Sequence, residues 1–320
     1  MDETKKRIIV VGSSNTDMVV RTARMPKPGE TLLGGVFMMN QGGKGANQAV
    51  AAAKLGGDTL FIAKIGDDIF GRETLLLLEK EGIDIRHVSF SAEHASGVAL
   101  IEVDDTGENS IVVASGANAD LSPEDIEAAD DEFAGAAVMI VQLETPIETV
   151  EKAIETAHAH GVTVVLNPAP APKTPLRPEI LAMVDYIIPN KSEAEAISGV
   201  EITDDESMMK AVAEIQRLGV PNVIFTLGSK GALLCTGGKS TLIPSFKVKA
   251  VDTTAAGDTF CGALCVGLAE GTSLLEAIEF ANKAASITVT RPGAQQAIPY
   301  RSEVQEPEAH KQQPKQQYRK

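Results

Sequence analysis

Positive charge is scarce in this chain of 320 residues: 29 lysines and arginines stand against 44 aspartates and glutamates, a formal net charge of −15. Such a surface repels polyanions, so neither nucleic acid nor an anionic membrane is expected as the main partner, and an anionic substrate needs local compensation. Cysteine is also scarce. Cys235, Cys261 and Cys265 cannot pair completely and show no C-x-x-C spacing, as expected of reduced thiols in a cytosol. Cys261 and Cys265 share a helical face and read as small core residues rather than metal ligands. No hydrophobic run reaches the length of a membrane span, and Met1 to Val10 is too charged for a signal peptide. The expectation is a soluble, cytoplasmic protein.

Several binding motifs are absent as well. Gly238-Lys239-Ser240 ends like a phosphate loop, but Leu233 stands where the first glycine of a Walker A motif belongs. No G-x-G-x-x-G follows the first strand, which leaves a dinucleotide fold unsupported. The five histidines, His87, His94, His158, His160 and His310, show no metal-ligand spacing.

What is present alternates. Short apolar runs at 8–11, 59–62, 138–141, 162–166, 186–188 and 223–227 read as buried strands. Helical patterns lie between them at 44–55, 70–81, 146–160, 192–198 and 205–218, closed by Gly56, Gly82, Gly161, Gly199 and Gly219. This pattern predicts an α/β fold, a doubly wound and mainly parallel sheet with helices on both faces. Two stretches break the alternation. Residues 31–38, and 97–103 followed by 110–114, are β-prone, and Asp104-Asp105-Thr106-Gly107 makes the latter pair a hairpin. They predict a small β appendage, spanning about 18–40 and 97–114, inserted into a domain of residues 1–300 and suited to a lid or a subunit contact. Residues 301–320 are rich in Glu, Gln, Lys and Pro and are expected to form a disordered tail, dispensable for catalysis.

Four constellations carry chemistry. In Val251-Asp252-Thr253-Thr254-Ala255-Ala256-Gly257-Asp258-Thr259-Phe260, small residues lead into a carboxylate and an apolar helix. The N–H groups of Ala255, Ala256 and Gly257 could cradle a phosphate at the positive end of the helix, with Asp258 as proton acceptor; a plain helix cap is the bland alternative. A helix end would keep Asp258 ionised. The second group, Gly42-Gly43-Lys44-Gly45-Ala46-Asn47-Gln48, offers a glycine-rich turn whose Asn47 amide suits a sugar hydroxyl and whose Lys44 could hold a sugar or a phosphate, or stay in solvent. Asn15-Thr16-Asp17 follows the first strand, where ligands of open α/β sheets collect, and reads equally as an Asx-rich turn. Glu144 lies just beyond the strand ending at Val141, placed either to grip hydroxyls or to cap the next helix.

Together with Asn190-Lys191-Ser192-Glu193-Ala194-Glu195 and Thr226-Leu227-Gly228, these segments resemble the signatures of the PfkB carbohydrate kinase family, in order from about Arg7 to Tyr300, and within it the ribokinase branch. Pro168-Ala169-Pro170-Ala171 after Asn167 adds to that branch. The resemblance implies ATP-dependent phosphorylation of D-ribose at O5, with kinases for deoxyribose or a nucleoside, or a non-catalytic binder, as alternatives. It implies Asp258 as the base and the 255–257 amides as the cradle for the transferring group. Asn15, Asp17, Gly43, Lys44, Asn47 and Glu144 are the implied sugar contacts; Asn190, Thr226, Gly228, Gly231, Gly257 and Asn282 match nucleotide positions. Glu193 matches a position tied to Mg²⁺ and phosphate. Asp252, Thr254 and the segment from Thr288 through Arg291 and Gly293 to Ala297 correspond to a K⁺ site. A homodimer through the β lid is implied. The chain departs from the family's pattern at Cys261, where Asn is common, and at Ala297, where Ser is common.

Overall fold

Runs of β-branched and aliphatic residues with no polar interruption can only be strands covered on both sides. The computed structural model, which describes residues 7–172 and 174–306, places them so. In chain order the strands are β1 (Arg7–Val11), β2 (Asn15–Arg21), β3 (Val36–Gly42), β4 (Asp58–Gly66), β5 (Asp84–Ser91), β6 (Gly97–Val103), β7 (Asn109–Ala114), β8 (Val138–Val141), β9 (Thr163–Leu166), β10 (Tyr186–Ile187), β11 (Asn222–Thr226), β12 (Ala232–Thr236) and β13 (Lys239–Ile243). The main sheet runs β13-β12-β11-β10-β9-β8-β1-β4-β5 and is parallel except for the β11–β12–β13 edge.

Alternate residues of β1 feed two cores. Ile8 and Val10 join the layer built from the helices Lys44–Lys54, Ala256–Glu270 and Leu274–Thr288, while Ile9 and Val11 join the opposite layer with Ile147–Ala159 and Asp205–Arg217. Helix ends agree with the glycines that close them: Gly199 sits left-handed at φ 69° after Lys191–Ser198. Asn190 and Glu193 form a reciprocal capping box at the other end of that helix.

A second sheet, in the order β3-β2-β6-β7, stands apart from the first. Its β6–β7 hairpin turns through Asp104–Gly107, with Asp104 N–H donating to the Glu108 carbonyl. The strand expected at 31–38 begins instead at Val36. Upstream of it, Pro26, Pro28 and the left-handed Gly29 and Gly34 keep the chain out of any ladder. The edge hairpin β12–β13 and the strand β5 have no clear counterpart in the apolar-run pattern.

The chain does not dissolve into a tail at residue 301. Arg301–Gln305 is a short helix whose Val304 is 2% exposed. Arg301 pairs with Glu270 and donates to the Leu55 carbonyl, and Glu303 pairs with Arg291. A polar composition hid one apolar anchor and two ion pairs; residues 307–320 of the expected tail lie outside the described residues. Ending the chain at Tyr300 is expected to lower Tm by roughly 3–6 °C, from about 1.5 kcal/mol of lost Val304 burial at about 2–4 °C per kcal/mol. A thermal melt of the two lengths checks this, and an unchanged Tm would show the docked turn to be inert.

Candidate active site

Helix N-termini and strand C-termini leave main-chain groups without partners, and in this fold they converge at one edge of the main sheet. The turn after β1, the start of Lys44–Lys54, the residues after β8 and the start of Ala256–Glu270 meet there. Two cavities open between them. One of about 850 Å³ lies under the second sheet and is lined by Asn15, Asp17, Gly43, Lys44, Asn47, Glu144 and Asp258 from below and by Met38, Ile101 and Val113 from above. The other, about 220 Å³, is lined by Lys44, Asn190, Glu193, Thr226 and the turn Ala255–Asp258. Lys44, Thr253, Ala255 and Asp258 belong to both walls.

Asp258 is 8% exposed, and its carboxylate is gripped at both oxygens. Asn47 Nδ2 donates to Oδ2 at 2.9 Å and Gln48 Nε2 to Oδ1 at 3.0 Å. Burial pushes its pKa up from the usual carboxylate range, against Lys44 and these two amides, which pull it down. Burial therefore makes Asp258 a stronger proton acceptor than a solvated carboxylate. Burial alone would lower Lys44, but Asp258 and Glu144 hold it above the ordinary lysine value, so it stays charged.

The cradle is built by strain. Ala255, the cap of Ala256–Glu270, has φ 58° and is the one non-glycine residue with positive φ among the described residues. Such a conformation costs roughly 1–2 kcal/mol and turns the chain so that the amides of Ala255, Gly257 and Asp258 find no acceptor within the described protein. Ala256, expected in that set, instead makes a long bond of 3.3 Å to the Thr253 carbonyl, and the Asp258 amide replaces it. A Cβ added at Gly257 would meet nothing within 4 Å. Its open side is the cavity.

The glycine turn before Lys44 is forced by contact. Gly43 has φ 85°, and a Cβ there would lie 2.7 Å from the Asn15 amide nitrogen. This closeness lets Lys44 N–H and Ser13 Oγ both donate to Glu144 Oε2, at 2.9 and 2.6 Å. Oε1, 4.0 Å from Lys44 Nζ, is left as an acceptor on the cavity side. Asp17 is pushed up to about 7 by burial, reinforced by Glu144 and Asp258. Near neutral pH its carboxyl can thus either donate to or accept from a hydroxyl.

The remaining candidates divide. Thr226 donates to the Pro189 carbonyl beside Asn190 on the 220 Å³ cavity. Gly228 opens a 3₁₀ turn capped by Gly231, and Gly231 and Asn282 both abut the end of β13, where Asn282 Nδ2 donates to the Ile243 carbonyl. Asn282 is placed behind that segment and lines neither cavity. Glu193 is buried, and burial raises its pKa although Asn190 holds both its oxygens. A carboxylate with lone pairs to spare beside a phosphate-sized cavity fits a Mg²⁺ that keeps most of its ligands from phosphate and water.

Asp252 clamps two loops: Oδ1 accepts from Thr254 N–H and Oγ, and Oδ2 from Gly293 N–H at 3.0 Å. The Arg291 side chain turns away to Glu303, and the Thr288 hydroxyl is in the core, bonded to Thr259 and Ala284. Ala297 presents a buried methyl. Main-chain carbonyls, Asp252 and the Thr254 and Thr290 hydroxyls are the hard oxygen donors there for a monovalent cation.

Gln142 and Asn118 escaped the sequence reading, since an isolated amide carries no motif. Gln142 Nε2 donates to Gln48 Oε1 at 2.6 Å, extending the chain of amides behind Asp258, and Gln48 also donates to Asn167.

This geometry has close relatives. The profile of the pfkB family carbohydrate kinases matches residues 5–301. A ribokinase of Haemophilus influenzae is 45% identical over 302 residues, covering 94% of this chain and 98% of that protein. A deoxyribokinase of Salmonella typhi is 40% identical over 292 residues, 91% of this chain and 95% of that one. The solved structure of Arabidopsis thaliana ribokinase complexed with ribose and ATP, 33% identical, matches with a TM-score of 0.87 over 94% of this chain and 98% of its own. The chain belongs to the PfkB family of carbohydrate kinases, on its ribokinase branch.

Proposed function

We propose that the chain transfers the γ-phosphoryl group of ATP to O5 of D-ribose, giving ribose 5-phosphate and ADP. The observation that carries this reading is that Asp258 lines both cavities, so one carboxylate meets the acceptor hydroxyl and the phosphate at once. Asn15, Asp17, Lys44, Asn47 and Glu144 hold the sugar; Asn190, Thr226, Gly228 and Gly231 border the nucleotide.

Phosphoryl transfer passes through a loose transition state in which positioning and charge neutralisation do most of the work. Asp258 takes the proton of the attacking hydroxyl, and the amides of Ala255, Gly257 and Asp258 receive the charge spreading over the transferring group. With a net charge of −15, this neutralisation has to be local. Mg²⁺, with Glu193 behind it, would supply further positive charge to the phosphates. The second sheet over the sugar excludes water, which would otherwise compete as acceptor.

The reading is tested by a coupled ATP-consumption assay over pentoses, hexoses and nucleosides. Ribose is expected to give the highest kcat/KM, with 2-deoxyribose roughly tenfold or more worse because a missing hydroxyl leaves buried partners unpaired. Equal efficiency on the two would favour the deoxyribokinase alternative. Asp258→Asn is expected to lower kcat by roughly 10²–10⁴ with little change in either KM; near wild-type kcat would reduce Asp258 to a helix cap.

Potassium activation is part of this reading. A cation on Asp252 and the carbonyls of 288–297 would brace the cradle that the same loop precedes. Titrating KCl against choline chloride at constant ionic strength should raise the rate, and Ala297→Ser should move the curve to lower K⁺. A flat rate would remove the cation from the account.

A second copy of the chain is the partner we assign to the outer face of the lid. Met39, Met18, Leu100 and Val112 stand opposite one another across its four strands on the side away from the cavity. Leu100 and Val112 are 54% and 65% exposed, an apolar row of the kind found at subunit contacts. Sedimentation should find a dimer that Leu100→Lys dissociates; a wild-type monomer would refute it.

A further inference from the structure

Which end of a buried amide faces a ligand decides whether it donates or accepts, and electron density rarely distinguishes the two. Here the main chain settles the question for Asn15. Asn118, in the 3₁₀ turn Gly116–Asp120 that leaves the lid, is 2% exposed. Its Oδ1 accepts from Ser14 N–H at 2.8 Å, and its Nδ2 donates to the Ser14 carbonyl at 3.1 Å. A backbone N–H can only donate and a carbonyl can only accept, so the orientation of Asn118 is fixed at both ends. Its NH₂ then also donates to Asn15 at 2.8 Å, and that partner atom must be Oδ1. Asn15 is left with only its NH₂ for the sugar cavity.

The pair is packed into place as well as bonded. Asn15 stands opposite Gly97 across the β2–β6 ladder. A Cβ at Gly97 would lie 2.2 Å from Asn15 Oδ1 and 2.3 Å from Asn118 Nδ2, so glycine is needed for the two amides to meet there. Asn47 is constrained in the opposite sense: its NH₂ is held by Asp258, and its buried Oδ1 has no partner among the described residues. One side of the sugar site thus offers a donor and another an acceptor.

We infer that Asn118 is a positioning residue that sets sugar specificity without touching sugar, by locking Asn15 as a hydrogen-bond donor. The inference rests on the sugar reading of the larger cavity. It distinguishes Asn118 from a residue that merely joins the lid to β1, because its effect must pass through Asn15.

The test is a double-mutant cycle of Asn118→Ala and Asn15→Ala, with Asn118→Asp as a second lesion that forces Asn15 to turn its NH₂ inward. Ribose KM, ATP KM, kcat and Tm are measured for each. Asn118→Ala is expected to raise ribose KM roughly tenfold in the native background, the scale of one unpaired buried group. ATP KM and kcat should stay within about threefold of native. In the Asn15→Ala background the same change should leave ribose KM within about twofold. An equal rise in both backgrounds would overturn the inference, since Asn118 would then act through the fold. A folded Asn118→Ala enzyme with native ribose KM would overturn it too. If Asn15→Ala by itself leaves ribose KM unchanged, the sugar reading of that cavity falls, and the inference falls with it.

Discussion

Two amides on consecutive residues of one helix hold the carboxylate on which the rest of the site depends. Asn47 and Gln48 grip opposite oxygens of Asp258, which requires the helices Lys44–Lys54 and Ala256–Glu270 to approach closely. Small residues permit this: a Cβ at Gly262 would lie 2.6 Å from the Ala51 side chain, and on the other side of Lys44–Lys54 a Cβ at Gly45 would lie 2.6 Å from Gly12 in the turn after β1. The amide-rich glycine turn and the alanine-rich cradle are therefore two halves of one contact. A charge buried this deeply stays ionisable only because Lys44 and two donors face it.

The same contact reconciles an acidic protein with a polyanionic substrate. A net charge of −15 repels phosphate at long range, yet within a few ångströms the field is made by one lysine, a helix end and amides without internal partners. Fixed dipoles a few ångströms from the transferring group act more strongly than distant surface charge does. Two of the carboxylates near the cavity are compensated locally, Glu144 by Ser13 and Lys44 and Asp252 by Thr254 and Gly293, while Asp17 is left with a raised pKa.

Where the sequence speaks through periodicity or steric need, it was legible. Strands such as Ile8–Val11 and Val138–Val141 are apolar because both faces are covered, and the glycines at 43 and 45 announce close approach of backbone. The candidate residues Asn15, Asp17, Lys44, Asn47, Glu144 and Asp258 do line one cavity. What stayed hidden depends on partners distant in sequence. Nothing around Asn118 or Gln142 tells that each will complete a polar chain with residues about a hundred positions away. The rise of Asp258's pKa is hidden for the same reason, because burial belongs to the assembled fold. Residues 301–306 misled in the other direction: their composition is that of a solvated segment, and one valine and two ion pairs dock it.

Gly257 separates two kinds of constraint that usually coincide. Most glycines in the site are demanded by the protein itself, through a positive φ or a colliding neighbour, so replacing them would injure folding first. At 257 the backbone is helical and the space beside it is empty of protein; in helical backbone alanine is even the better former by about 1 kcal/mol. What forbids a side chain there is the cargo alone. A library of chains sorted for solubility or heat resistance would fill this position freely, and one sorted for turnover would return glycine.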